Sequence, residues 1–294
     1  MIVNDPETTD VTVIIPTFRR SAALTTTLDR LAQCLPRPGQ IIVHVDAGDD
    51  DTGEILQSRF PAICCIQSET QQGPGGGRNK LMAAALHEIV VSLDDDSWPI
   101  DSDFFVRVHK VADDNPRCGA IACRIVEADR SESFSEGIND PAGVIVPGIS
   151  FVGCGAILRK SAFATTSGYL PLRYAYGMEE ADVSLQLLNN GYEICFCPQL
   201  TVFHDCDRDT HHANAKINAA QITNAALLPF LRYPAMYWGY GFLQVLNRVL
   251  FSVRKRRFAG IMTGLLNIPA ACWNNRQHKK PVAAKTIDYV RSTK

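Results

Sequence analysis

The chain has 294 residues, 46% of them hydrophobic and 20% charged, a composition that suits a globular protein with a sizeable core and excludes a disordered or fibrous one. Its formal charge of −2 conceals a split: residues 1–206 carry 15 Lys+Arg against 28 Asp+Glu (net −13), whereas residues 207–294 carry 14 against 3 (net +11). Two parts so different in charge face different partners, and nothing in either marks a nucleic-acid binder. Of the ten cysteines, Cys64, Cys65, Cys123, Cys195 and Cys197 lie in apolar, strand-like runs and read as free, buried thiols. No CxxC pair is present, so neither a zinc knuckle nor a thioredoxin-type motif is indicated. Met1 to Asp10 is acidic and polar, unlike a signal peptide, and a reducing cytosol is the expected compartment.

In chain order, Val11 to Ile15 predicts a strand, Pro16 to Arg20 a loop, and Ser21 the cap of a helix with Leu24, Leu28 and Leu31 on one face. A second strand spans Ile41 to Val45 and ends in the acidic loop Asp46 to Asp51. A helix near Thr52 to Ser58 leads to a strand at Ile63 to Ile66. The turn Gln72 to Gly77 opens a helix running to Leu86, and the strand Ile89 to Leu93 follows. This β-α alternation predicts an α/β fold, Rossmann-like, with a mostly parallel sheet flanked by helices. Further on, a helix near Phe104–Val111, a strand at Ala120–Cys123 and a polar loop over 131–148 are expected. Gly153 to Leu158 returns to the sheet, Glu179 to Asn190 is a helix stopped by Gly191, and Ile194–Cys197 and Thr201–Phe203 are short strands.

From Asn214 the chain turns into helices rich in aromatics and arginine, so the domains are placed at 1–206 and 207–294. Its uncharged runs are broken by Gly, Pro and Asn, and neither looks like a membrane span. Tyr233, Tyr237, Trp238, Tyr240 and Trp273 beside Arg254-Lys255-Arg256-Arg257 suit helices lying in an anionic membrane interface, on the cytoplasmic side; the alternative is a helical extension packed on the core.

The chemistry is signalled by Asp94, Asp95 and Asp96, placed directly after the apolar strand. Three consecutive like charges at a strand end repel unless a cation holds them, and hard oxygen ligands suit Mg²⁺ or Mn²⁺. In open α/β sheets, ligands gather at the carboxyl ends of strands. Glu179, Glu180 and Asp182 form a second acidic cluster at a helix start.

Five segments then line up: Val13 to Arg20, the loop after Val45-Asp46, Gly77-Arg78-Asn79, Leu93 to Asp96, and Glu179-Glu180-Ala181-Asp182. Over about residues 11–206 the chain resembles family 2 glycosyltransferases of GT-A fold, of the rhamnosyltransferase-like, cell-surface polysaccharide type. The resemblance implies inverting transfer of a sugar from a nucleoside diphosphate sugar, with UDP- or dTDP-sugars favoured, to a saccharide or lipid-linked saccharide acceptor. It implies nucleotide-sugar contacts from Pro16, Thr17, Arg19, Asp46, Arg78, Asp94 and Asp95, and Mn²⁺ or Mg²⁺ held by Asp96 and His204. Glu180 matches the family's catalytic base, with Glu179 and Asp182 as alternatives. Two positions depart from the pattern: Ala47 stands where relatives often carry an Asp that reads the base, and Glu180 replaces the usual Asp.

Other classes fit less well. A dinucleotide-binding glycine loop should follow the first strand, whereas Gly73 to Gly77 follows the third. A sugar-phosphate nucleotidyltransferase should carry a Gly-rich basic loop after the first strand, where this chain has Pro16 to Arg20 without glycine. A binding-only protein would not need every acidic position filled. Asp46 to Gly53 lacks EF-hand spacing.

Overall fold

The computed structural model describes residues 8–48, 51–127, 144–172, 176–206 and 214–293. Its strands are β1 (Thr8–Thr17), β2 (Arg37–Val45), β3 (Cys64–Gln67), β4 (Ile89–Ser92), β5 (Ser97–Pro99), β6 (Cys118–Glu127), β7 (Val146–Gly148), β8 (Ala156–Arg159) and β9 (Glu193–His204). Between and after them lie helices α1 (Ser21–Leu31), α2 (Thr52–Arg59), α3 (Gly73–Ala84), α4 (Phe104–Asp114), α5 (Lys160–Ala164), α6 (Glu179–Asn189), α7 (Ala215–Arg232), α8 (Trp238–Arg254), α9 (Ile261–Asn274) and α10 (Ala284–Ser292).

One sheet runs in the order β3-β2-β1-β4-β8-β6-β9-β5, with β7 added on β9. The pairs β3-β2, β2-β1 and β1-β4 are parallel, as the β-α alternation predicts. β8 then enters antiparallel between β4 and β6, so the second half of the sheet is mixed. Residues of β1 alternate between two apolar layers: Val11, Val13 and Ile15 join Leu24 and Leu28 of α1 and Phe105 of α4, while Ile14 joins Leu81 of α3 and Val183 and Leu187 of α6. Burial on both faces explains why Val11 to Ile15 carries no charge and has Thr12 as its single polar side chain.

Several local expectations change. Ser21 is the first helical residue of α1 rather than its cap; Arg20 holds the cap position and makes no side-chain capping bond. β2 starts at Arg37, because Thr8 and Thr9 pair with Arg37 and Pro38 beyond the apolar run. α3 ends at Ala84, two residues before Leu86. The two short strands near the end of the sheet are one, β9, interrupted by a register shift between Cys123/Arg124 of β6 and Cys197/Thr201. β7 lies within the stretch expected as a loop, pairing with Phe196, Cys195 and Ile194; residues 131–143 of that loop fall outside the described residues. Among the cysteines, Cys195 is not free: neighbouring strands β6 and β9 bring it to Cys118 with Cα atoms 6.4 Å apart, and the two form a disulfide. Cys64 is exposed and Cys65 only half-buried, because β3 is the edge strand of the sheet.

α7 docks the basic C-terminal helices on the sheet domain. Leu227 and Leu231 pack on Leu170 and Met178, and Tyr233 and Tyr237 share a second cluster with Leu185 of α6 and Ile287 of α10. Among the described residues, no helix is long and apolar enough to cross a membrane.

Candidate active site

Parallel strands β1, β2 and β4 carry their C-terminal ends to one edge, where Thr17, Asp46 and Asp94 to Asp96 gather. Asp95 is 5% exposed; its Oδ2 accepts from Thr17 Oγ1 at 2.8 Å and its Oδ1 lies 2.9 Å from Arg20 Nη1. Burial outweighs the Arg20 charge and pushes the Asp95 carboxyl up to about 7. Asp96 behaves oppositely. Burial works against its charge, but His204 and Arg20 together hold it below the usual carboxylate range. Arg20 Nη2 donates to Asp96 Oδ2 at 2.6 Å, and His204 Nε2 stands 3.3 Å from Oδ1.

Among the described residues, none donates a hydrogen bond of good geometry to the buried Oδ1 of Asp96. Asp96, His204 and Cys206 bring a carboxylate oxygen, a ring nitrogen and a thiol within 4.8 Å of one another, and Asp94, Cys154 and His204 do the same. β5 pairs with the end of β9 and sets Ser97 opposite His204, which is why Asp96 and His204, 108 positions apart, meet here. A buried, under-satisfied carboxylate oxygen beside an imidazole is a donor set that fits a divalent cation.

Arg78, on the first turns of α3, is 2% exposed and crosses the site. Nε donates to Ser92 Oγ at 3.1 Å, Nη1 lies 3.3 Å from Glu179 Oε1, and Nη2 is bonded to Asp94 Oδ1. Burial disfavours its charge, yet Asp94 and Glu179 raise its pKa. The guanidinium therefore joins the strand-end acids to the acidic start of α6. Gly153 backs the junction: a Cβ there would lie 2.6 Å from Arg78 Nη2 and 2.9 Å from Glu180 Oε1, so any side chain would displace both.

At the start of α6, the three acids differ sharply in environment. Half-buried Glu180 accepts the backbone N–H of Gly153 at 3.0 Å through Oε1, and burial raises its pKa despite Arg78. Glu179 is buried, its carboxyl pushed up to about 8 first by burial and then by Glu180. Asp182 is fully buried; its Oδ1 is bonded to Arg232 Nε and its Oδ2 lies 3.1 Å from Arg232 Nη2. Tied this way to α7, Asp182 works as an anchor of the helix, leaving Glu180 as the acid with surface open to an incoming group.

The remaining predicted residues line the loops. Asp46 accepts the N–H groups of Gln72 (2.8 Å) and Gly73 (3.0 Å), fixing the start of α3 against the end of β2. Arg19 has a left-handed backbone, φ 56°, and its Nε donates to Gly48 O at 2.7 Å, which ties the first and second loops together. Pro16 sits opposite His44 in the β1–β2 register, behind these loops. Sequence reasoning missed Arg20 and Arg232. The first was visible as a second arginine after β1; the second carried no local signal.

Raised carboxyl pKa values have a thermodynamic consequence. The native protein retains protons on Asp95 and Glu179 that the unfolded chain releases above about pH 4, so stability should fall as pH rises from about 4 towards 8. Glu179→Gln should flatten that decline, measurable as the pH dependence of Tm between about pH 5 and 9.

The family model described as glycosyl transferase family 2 matches residues 12–164, more than half the chain. The chain belongs to glycosyl transferase family 2. It is thus a glycosyltransferase, and the matched span holds β1 from Thr12 onward, the strand-end aspartates, Arg78 and Gly153. Solved structures agree on the fold. The mannosyltransferase PcManGT from Pyrobaculum calidifontis, in complex with GDP-Man and Mn²⁺, is 13% identical with a TM-score of 0.57, covering 96% of this chain and 83% of that one. S. aureus TarS 1–349 in complex with UDP-GlcNAc is 15% identical with a TM-score of 0.55, covering 92% of each chain. GalNAc-T7 with UDP, GalNAc and Mn²⁺ is 11% identical with a TM-score of 0.59, covering 92% of this chain and 57% of that one. At these identities the likeness concerns the GT-A fold alone. No curated protein matches this family 2 glycosyltransferase in sequence.

Proposed function

We propose that this glycosyltransferase is inverting and uses a divalent cation, moving a sugar from a nucleoside diphosphate sugar to an acceptor hydroxyl in cell-surface glycan synthesis. The observation that carries the reading is the grouping of three features at the strand ends: Asp96 held by Arg20, buried Arg78 paired with Asp94 and Glu179, and half-buried Glu180, next in sequence to Glu179, aimed by the Gly153 N–H.

In this reading Thr17 orients Asp95 and the loops around Arg19 and Asp46 wall the nucleoside. Asp96 and His204 would hold Mn²⁺ or Mg²⁺, and either ion supplies Lewis-acid stabilisation of the departing diphosphate. Arg20 and Arg78 bring permanent positive charge to the same edge, so the leaving group meets an electrostatically prepared surface. Glu180 takes the proton of the acceptor hydroxyl as that oxygen attacks the anomeric carbon from the side opposite the diphosphate. Its raised pKa strengthens it as a base, and the Gly153 N–H keeps one oxygen aimed. One displacement inverts the anomeric centre. The solved relatives contain GDP-Man or UDP species; for this chain, UDP- or dTDP-sugars are the proposed donors. A saccharide or lipid-linked saccharide is the proposed acceptor, met at the cytoplasmic face of an anionic membrane to which the basic C-terminal part attaches.

Asp96→Asn tests the cation part. Mn²⁺ should tighten UDP binding to the unchanged protein and leave the variant's affinity where EDTA leaves it, as read by titration calorimetry. Equal Mn²⁺ enhancement in both proteins would remove Asp96 from the cation site.

A further inference from the structure

Helices α8 and α9 both pack on α7 through small residues. A Cβ on Gly241 of α8 would lie 2.5 Å from Pro229, Ser252 Oγ donates to Asn218 Oδ1 at 2.7 Å, and a Cβ on Gly264 of α9 would lie 2.9 Å from Ile222. Positions 241 and 252 share one side of a helix of 3.6 residues per turn; Leu246 and Leu250 lie on the side turned away from α7, with Phe242 on its flank. The same count places Met262, Leu266 and Trp273 opposite Gly264 on α9. These outward side chains are large and exposed, Phe242 to 68%, Met262 to 67%, Leu266 to 71% and Trp273 to 66%. Two adjacent helices thus each bury a line of small residues and present an apolar stripe, the reverse of an ordinary surface helix.

What covers the stripes is indicated by charge. From residue 210 to residue 287 the sequence contains no Asp or Glu and 11 Lys+Arg. Arg254, at the end of α8, and Lys255 and Arg256, in the connection to α9, are exposed. Arg276 stacks on Trp273 at 4.1 Å from the ring centroid, and Lys279 lies 5.0 Å from that of Trp238, so cationic heads stand at the rim of the exposed aromatics. A second copy would set one acid-free basic surface against another. An anionic bilayer offers both the negative headgroups and the apolar layer beneath them. We propose that the outward faces of α8 and α9 are an insertion platform that lies in the plane of an anionic bilayer, with the basic connection at headgroup level.

The proposal deepens, and rests on, the membrane part of the function proposed above. α7 carries the platform and grips the acceptor-side helix through the Arg232–Asp182 pair, and the turn before that helix through Asn224 Nδ2, which donates to Tyr176 O at 3.1 Å. Seating the platform therefore holds Glu180 at a fixed relation to the bilayer, where a lipid-linked acceptor would present its hydroxyl.

Vesicles of phosphatidylcholine, with and without phosphatidylglycerol, test this on the full chain. The unchanged protein should sediment with phosphatidylglycerol vesicles, release in high salt, and show tryptophan fluorescence quenched by bromine-labelled acyl chains. Because each stripe residue would bury a large apolar side chain, Leu246→Glu and Leu266→Glu should each weaken vesicle binding about tenfold or more, with Tm unchanged since both sites are exposed. Binding that is neither quenched nor weakened by these changes would overturn the platform while leaving electrostatic attachment standing. No vesicle binding at all, with a stable dimer in light scattering, would overturn both and assign the stripes to a second copy.

Discussion

Glu180→Gln should lower turnover by about 10²–10⁴-fold while donor binding survives, the range over which a positioned general base contributes. The substitution keeps the shape and retains an oxygen able to accept the Gly153 N–H, which lies 3.0 Å from Oε1 in the native site. What is lost is the ability to take a proton. Glu179→Gln should cost less in turnover, because Glu179 is buried against Arg78 and its carboxyl is pushed up to about 8. Donor affinity by calorimetry, together with turnover of the same variants, separates the two roles. Near-normal turnover in Glu180→Gln would move the base to another residue.

Arg232→Ala should be the most damaging change outside the substrate-facing residues. Arg232 is 1% exposed, holds Asp182, and also donates through Nη1 to the carbonyls of His278 at 3.2 Å and Lys280 at 3.4 Å. Its removal strands a buried carboxylate, an effect worth about 3–5 kcal/mol when a buried pair is broken from one side. Burial already raises the Asp182 pKa against the pull of Arg232. Without Arg232 the acid can fold comfortably only when protonated, so the loss should be greatest at alkaline pH and smaller near pH 5. Arg232→Ala combined with Asp182→Asn should recover part of the stability. Urea unfolding of the single and double variants at two pH values measures all three expectations. Lys at 232 should not substitute, since one ammonium cannot replace a fork that meets a carboxylate and two carbonyls.

The two arginines also mark where the sequence was legible and where it was not. Asp94 to Asp96 and Glu179-Glu180 announced themselves because like charges crowded at an element's end are a local anomaly. The parallel half of the sheet was readable because Val11–Ile15 and Ile89–Leu93 are uncharged and apolar on both faces save for Thr12 and Ser92, the mark of strands covered on both sides. Asp182 looked like one more candidate base, since its partner lies 50 positions away in a helix with no acidic pattern of its own. β8 could not be oriented from composition, because a short apolar strand reads alike in either direction. The outward stripes of α8 and α9 were hidden by the same ambiguity: aromatic and aliphatic residues at helical spacing ordinarily mean core, and only the burial of Gly241, Ser252 and Gly264 shows which side faces inward.

The proposed role of the strand-end acids is to prepare a cation-assisted departure of a nucleoside diphosphate. Release of nucleoside diphosphate from a panel of UDP-, dTDP- and GDP-sugars, with Mn²⁺ and with EDTA, tests it most directly. At least one donor should be turned over in Mn²⁺, EDTA should suppress this release, and Asp96→Asn should be inactive in both conditions. Equal release in Mn²⁺ and EDTA, or undiminished release by Asp96→Asn, would contradict it.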